Sequence, residues 1–296
     1  MLRSDIRTPA KGVVLVIVAT ACFGALDTLS KYLSPFVAVA VAMTLRYFIQ
    51  SLLAAVTLLP RRGLGLFRTR HPGIQILRGV MMALSSGLAF VTLRTVPVGE
   101  FTAILAIGPL LITLIAARFT GERIEAARWV LMAVSFSGAL LVIRPGGSDF
   151  HWMMLMPLVL VLTTVSFHFM TRYLAREDNP MGMQLITGVI GTLVNAAALP
   201  FVDQWPDSAW IWTLLVGLAV LSSLGHYLLI LGYECAPPGT LAPFIYFHVV
   251  FGAIGGWVVF AHVPDGWAVL GMVAIVAAGL AAHRVRERQE ARAAAG

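Results

Sequence analysis

Apolar runs close to 20 residues long alternate with short stretches that hold nearly all of the charge in this 296-residue chain. A helix rises 1.5 Å per residue, so about 20 apolar residues cross the hydrocarbon of a bilayer. Ten runs approach that length: Gly12–Tyr32, Pro35–Leu59, Gly73–Leu93, Val98–Ala117, Arg128–Ile143, Trp152–Tyr173, Pro180–Leu199, Ser208–Leu231, Pro238–Phe260 and Gly266–His283. None alternates with the two-residue period of a barrel strand, which would also be about half as long. The pattern predicts an all-α membrane protein with ten transmembrane helices.

The ten runs are two copies of five. Shifted by 140 residues, Pro97-Val98-Gly99 falls on Pro237-Pro238-Gly239, Met132 on Met272, Leu140 on Leu280 and Arg144 on Arg284. Shifted by 141, Lys31-Tyr32-Leu33 falls on Arg172-Tyr173-Leu174. Residues 12–144 form the first repeat, 152–284 the second, and 285–296 a basic cytoplasmic tail. Five is odd, so the second copy enters the membrane from the opposite side. Inverted repeats are the architecture of alternating-access carriers, with the solute site between the halves.

Charge sets the orientation. With the N-terminus in the cytoplasm, only Lys31, Arg94 and Arg144 of the 21 Lys and Arg fall outside. Arg46 sits within a span, and the rest, Arg78 and Arg123 among them, fall on the inner side. That asymmetry places both termini in the cytoplasm of an inner (plasma) membrane. Six of the seven Trp then mark the outer boundary: Trp152, Trp205, Trp210, Trp212, Trp257 and Trp267. Only 12% of residues are charged, against roughly 25% in a soluble domain, and the basic residues lie in loops rather than on one face. A nucleic-acid partner is therefore not expected. Cys22 and Cys235 lie too far apart along the spans for a structural disulfide.

Ionisable groups at membrane depth are costly and mark function by default. Asp27 in the first span and Arg46 in the second reach similar depth, so they are candidates to pair. That pair reads either as a fixed lock on the hairpin or as a solute or proton site. At an offset of 141, Asp27 falls on His168. His226 and His248 lie in the eighth and ninth spans, with Tyr246 beside His248. Neutral imidazoles donate and accept hydrogen bonds and take up a proton near pH 6.5. Helix breaks are expected at Gly108-Pro109 in the fourth span and at Pro243 in the ninth. Paired interruptions in two repeats point to a carrier site. The candidate solute contacts are therefore Asp27, Arg46, His168, His226, Tyr246 and His248. Phe90, Phe167, Phe169, Tyr227 and Phe247 are candidate aromatic neighbours. Glu100, at the start of the fourth span, reads as a charge meeting the helix dipole. Gly252-x-x-x-Gly256 fits either an internal seam or a dimer face, and leaves the choice of monomer or homodimer open.

Several local motifs carry a resemblance. They are Pro97-Val98-Gly99-Glu100, Gly108-Pro109-Leu110, Gly121-Glu122-Arg123, Gly138 and Arg144-Pro145-Gly146. Asp27 with Lys31-Tyr32-Leu33, Arg46, Gly225-His226-Tyr227, Leu241-Ala242-Pro243-Phe244 and Val263-Pro264-Asp265-Gly266 extend it. Together they resemble the EamA-type domain of the drug/metabolite transporter superfamily. The resemblance implies a ten-helix inner-membrane carrier of small organic metabolites, working in either direction. One departure is His262, at the position matching Glu122 in the second copy, where the family often has Glu.

The expected function is ATP-independent transport of an amphipathic or planar solute such as an amino acid, S-adenosylmethionine or riboflavin. The partners are that solute, the bilayer, and protons as a candidate coupling ion. No Gly-rich phosphate loop is present to use ATP, and no cofactor is expected. The competing readings are an intramembrane enzyme and a non-transporting scaffold. Neither HExxH, GxSxG nor a Cys/His metal spacing supports the enzyme, and the buried ionisable groups argue against the scaffold.

Overall fold

The structure is a computed structural model that describes residues 9–63, 65, 69–108, 110–111, 126–144, 146, 150–174, 178–236 and 238–295. Every regular element among them is helical: α1 (Pro9–Leu33), α2 (Val39–Arg62), α3 (Pro72–Thr95), α4 (Val98–Leu105), α5 (Ala126–Ile143), α6 (Met156–Leu174), α7 (Pro180–Ala196), α8 (Ala209–Cys235), α9 (Pro238–Ile245), α10 (Phe247–Phe260) and α11 (Gly266–Ala295). Four of these helices open on proline, whose fixed φ suits the first turn and whose missing N–H would find no partner there. Short 3-10 turns, Trp152–Leu155 and Leu199–Phe201, flank α6 and α7.

Eight helical segments are long and apolar enough to cross a membrane. The expected fourth and fifth spans are not among them. α4 covers only eight residues before its break, residues 112–125 lie outside the described set, and the apolar helix Trp129–Ile143 is short.

Helix breaks lie in the fourth and ninth segments, the ninth at Tyr246 rather than at Pro243. α4 ends at Ala106, with φ −66° and ψ −7°, and its N–H is shared between the Thr102 and Ala103 carbonyls. α9 ends before Tyr246, with φ −66° and ψ −15°, and the Val249 N–H donates to the Tyr246 carbonyl at 3.1 Å. Both joints replace the i→i+4 bond with the tighter i→i+3 form. Pro243 lies inside α9, three residues ahead of the joint. Pro109 lies outside the described residues. α4 and α9 are both eight residues long, and their bounds are 140 residues apart at each end.

The chain divides into two compact units, each drawing on both sequence halves. The first comprises Met1–Thr28, Val96–Val161 and Leu224–Gly296; the second comprises Leu29–Thr95 and Leu162–Ser223. In the first unit, α11 lies along α5 and α4 lies along α10. A Cβ on Gly138 would stand 2.8 Å from the Gly271 carbonyl oxygen, so α5 and α11 meet backbone to backbone. Ala103, Ile104, Val142, Val249, Met272 and Ile275 close the core around them. Gly252 faces Thr102 on α4, and Gly256 lies beside Val98 and Gly99. Both glycines are buried, which makes Gly252-x-x-x-Gly256 an internal seam.

In the second unit, α7 packs on α2 and α3. Gly191 makes room for the Tyr47 ring, and Gly79 for Ile190. The Tyr47 hydroxyl donates to the Met82 carbonyl at 3.0 Å and lies 2.7 Å from Ser86 Oγ. The six tryptophans expected at the outer boundary are all exposed, as side chains meeting an interface would be.

Candidate functional site

α1 carries the acidic group of the first unit. Asp27 and Phe23 are four residues apart, so they share a face of α1. Gly24 lets α10 approach closely: a Cβ there would stand 2.7 Å from Phe251 Cβ. Gly255 of α10 in turn accommodates Thr28, whose hydroxyl donates to the Gly24 carbonyl at 2.8 Å. This fit brings the second residue of α10, His248, to Asp27. Its Nε2 lies 2.9 Å from Asp27 Oδ2, with the side chains 21% and 15% exposed. A carboxylate and an imidazole at that distance share or hand on a proton, and their partial exposure leaves a path to it.

Phe23 joins a second histidine to the pair. Its ring meets His226 edge-on at 5.0 Å and His248 at 6.2 Å. Gly225 on α8 makes that approach possible, since a Cβ there would stand 2.7 Å from the Phe23 ring. Phe23 was not among the expected residues, although its i, i+4 spacing from Asp27 was the available signal. Tyr246 sits at the joint two residues before His248. It is 6% exposed, and its hydroxyl is seated against Gly279 of α11.

Within its own unit, each member of the expected Asp27–Arg46 pair has another partner. Asp27 takes His248. Arg46, 8% exposed, donates from Nε to Ser222 Oγ at 2.9 Å and from a terminal nitrogen to Met43 Sδ at 3.8 Å. Equal depth on adjacent spans constrains height in the membrane but not the direction each helix face points. His168 lies on α6, with its side chain outside the described part of the structure.

The aromatic neighbours disperse. Phe90 is buried, whereas Tyr227 and Phe247 are exposed. Phe167 lies under the Arg78 guanidinium at 5.0 Å. Arg78, counted with the inner-side charges, is buried within its helix. Helix α3 begins at Pro72, so Arg78 is nearly two turns inside it and 2% exposed. It donates to the Met183 carbonyl, Thr187 and Thr171 at 2.5, 2.6 and 3.1 Å.

Beside it, the loop residue Asp178 accepts from Thr69 and Gln75 at 2.5 and 2.7 Å. Burial pushes the Asp178 carboxyl up, but these donors and the Arg70 N–H outweigh it and hold the carboxyl below its usual range.

Two further pairs edge the first unit. Glu100, in the first turn of α4 and 6% exposed, lies 3.1 Å from His262 Nε2. Its place in that turn suits the helix dipole, and it has a specific partner besides. Arg144 meets Asp265 at 2.6 Å, and Asp265 also accepts the Ala268 N–H at the start of α11. That backbone donor, with Arg144, holds the Asp265 carboxyl below its ordinary value.

Residues 10–144 match the model of the EamA-like transporter family. That match covers slightly under half of the chain. With its apolar helices and its transporter relatives, this multi-pass membrane protein is a transporter and not an enzyme. It is 28% identical to a riboflavin transporter of Vibrio cholerae over 275 residues, covering 90% of this chain and 91% of the relative. It is 27% identical to a pseudopaline exporter of Pseudomonas aeruginosa, covering 93% and 97%. An S-adenosylmethionine uptake transporter of Rickettsia bellii is 24% identical, covering 94% and 95%. A solved crystal structure matches 95% of this chain and 99% of its own, with a TM-score of 0.63 and 18% identity, and so shares the fold.

Proposed function

We propose that this transporter is a secondary carrier that moves a small organic solute by alternating access. Its ten helices would form inverted five-helix repeats, residues 12–144 and 152–284, with both termini in the cytoplasm of the inner membrane. The observation that carries the reading is the Asp27–His248 pair, held inside membrane-spanning helices and flanked by Phe23 and His226. A carboxylate and an imidazole at that depth are costly to a merely structural seam and useful to a carrier.

The joints at Ala106 and Tyr246 support the same reading. Each interrupts a helix in the first unit, as discontinuous helices do around carrier sites. The exposed edges of His248 and Asp27, with the Phe23 ring, favour a planar or amphipathic solute. Relatives are named for riboflavin, S-adenosylmethionine and pseudopaline, all organic solutes.

The test is flux in liposomes. Purified protein should move labelled riboflavin, S-adenosylmethionine or an amino acid without changing it chemically, and an imposed proton gradient should drive that flux. Asp27→Asn and His248→Ala should each slow it by about tenfold or more, while leaving the protein inserted. A loss of about 1.4 kcal/mol of stabilisation of the rate-limiting state corresponds to that factor. Undiminished flux in both variants would remove the pair from the mechanism, and a chemically altered solute would remove the carrier reading.

A further inference from the structure

We propose that the face of α2 bearing Arg46 and Gln50 is a subsite for an anionic group, a carboxylate or phosphate, on the transported solute. The proposal rests on the carrier reading above and specifies its substrate class. Arg46 and Gln50 are four residues apart on one helix face, and they are 8% and 6% exposed.

Every partner of Arg46 among the described residues is neutral. They are the Ser222 hydroxyl, the Met43 thioether and the face of the Tyr47 ring, 5.4 Å from the guanidinium carbon. None is a carboxylate. Gln50 makes no hydrogen bond among the described residues, and no atom of it is among the fully enclosed, unpartnered ones. A guanidinium stays charged at any physiological pH and presents five N–H donors in a planar fork. Arg46 spends one on an oxygen and one on a sulfur. The remaining donors, with the Gln50 amide one turn along, match an anion that accepts two parallel hydrogen bonds.

Arg78 in the same unit shows the contrasting case. Its terminal nitrogens are taken by a carbonyl and two hydroxyls, and the Asp178 charge acts on it as well. Arg78 thereby has a carboxylate charge acting on it, although its Nε is unpartnered, whereas Arg46 holds a charge at membrane depth that none of its described partners neutralises. An uncompensated charge there is expensive. A solute anion would remove that expense each time it bound.

The experiment compares acids with twins that lack the acid group on the purified full chain. The pairs are riboflavin 5′-phosphate with riboflavin, and S-adenosylmethionine with its decarboxylated analogue. Binding is read by thermal stabilisation across a titration. For at least one pair the acid should bind tenfold or more tightly. Arg46→Gln should erase that preference, Arg46→Lys should keep part of it, and Gln50→Leu should reduce it in a protein that retains the guanidinium.

Equal binding of both twins in both pairs overturns the proposal, as does an acid preference that survives Arg46→Gln and Gln50→Leu. A wild-type protein stabilised by neither acid overturns it too. Failure of the carrier reading is separate: acids would bind with the expected preference, yet no probe would cross the membrane in liposomes.

Discussion

Gly271→Ala tests the α5–α11 seam directly. The new methyl would collide with the Gly138 carbonyl oxygen, and would stand 2.8 Å from Val142 Cγ2 and 3.2 Å from Leu141 Cβ. The reciprocal change, Gly138→Ala, meets the Gly271 carbonyl oxygen at 2.8 Å and Ile275 Cγ1 at 3.0 Å. Ile275 can turn aside, but neither carbonyl can move without its helix. Relief therefore requires the helices to part along a seam that also buries Ala139, Val142 and Met272. Overpacking of this kind costs about 1–3 kcal/mol, and replacing a mid-helix glycine by alanine returns about 1 kcal/mol. The net loss should be about 0–2 kcal/mol for each variant, and about 1–3 kcal/mol relative to a helix glycine whose added methyl meets nothing. The double variant should lose less than the sum, because one separation relieves both collisions. Thermal unfolding in a single detergent, followed by tryptophan fluorescence, would measure it. Gly73→Ala is the control, since a methyl there meets nothing within 4 Å, and it should be neutral or slightly stabilising. A Gly271→Ala protein that melts at or above this control would refute the backbone-to-backbone seam.

Asp178 should make stability depend on pH. Its folded carboxyl titrates below the unfolded value of about 3.9, so its contribution is fully present above that value and lost as pH falls through the folded one. Between pH 6 and 3 the melting temperature should fall more steeply in the wild type than in Asp178→Asn, which should already be less stable at neutral pH. Arg144→Ala removes a half-exposed ion pair, so it should lower the melting temperature only slightly, and the difference should shrink in high salt.

Most of the helical spans were legible because uniform apolarity needs no partner to be read. The joints were not. Proline signals a missing donor, but in the ninth segment the backbone tightens at Tyr246, where neighbouring turns set ψ, and not at the Pro243 ring. The pairing of Asp27 with His248 was hidden for a related reason. Depth could be counted along each span, which favoured the adjacent Arg46. Facing depends on glycines such as Gly24 and Gly255, which carry no charge to announce the contact. The burial of Arg78 was not legible in the sequence, because it follows from hydroxyls on α6 and α7 meeting the guanidinium.

The joints at Ala106 and Tyr246 stand 140 residues apart, yet their prolines do not correspond. At that spacing Pro243 matches Ala103, and Pro109 matches Val249. A joint that recurs at this spacing with different punctuation around it belongs to the arrangement of neighbouring helices more than to any one residue. Protein engineers who set out to straighten the α9–α10 stretch by deleting Pro243 would be removing an ornament and leaving the hinge.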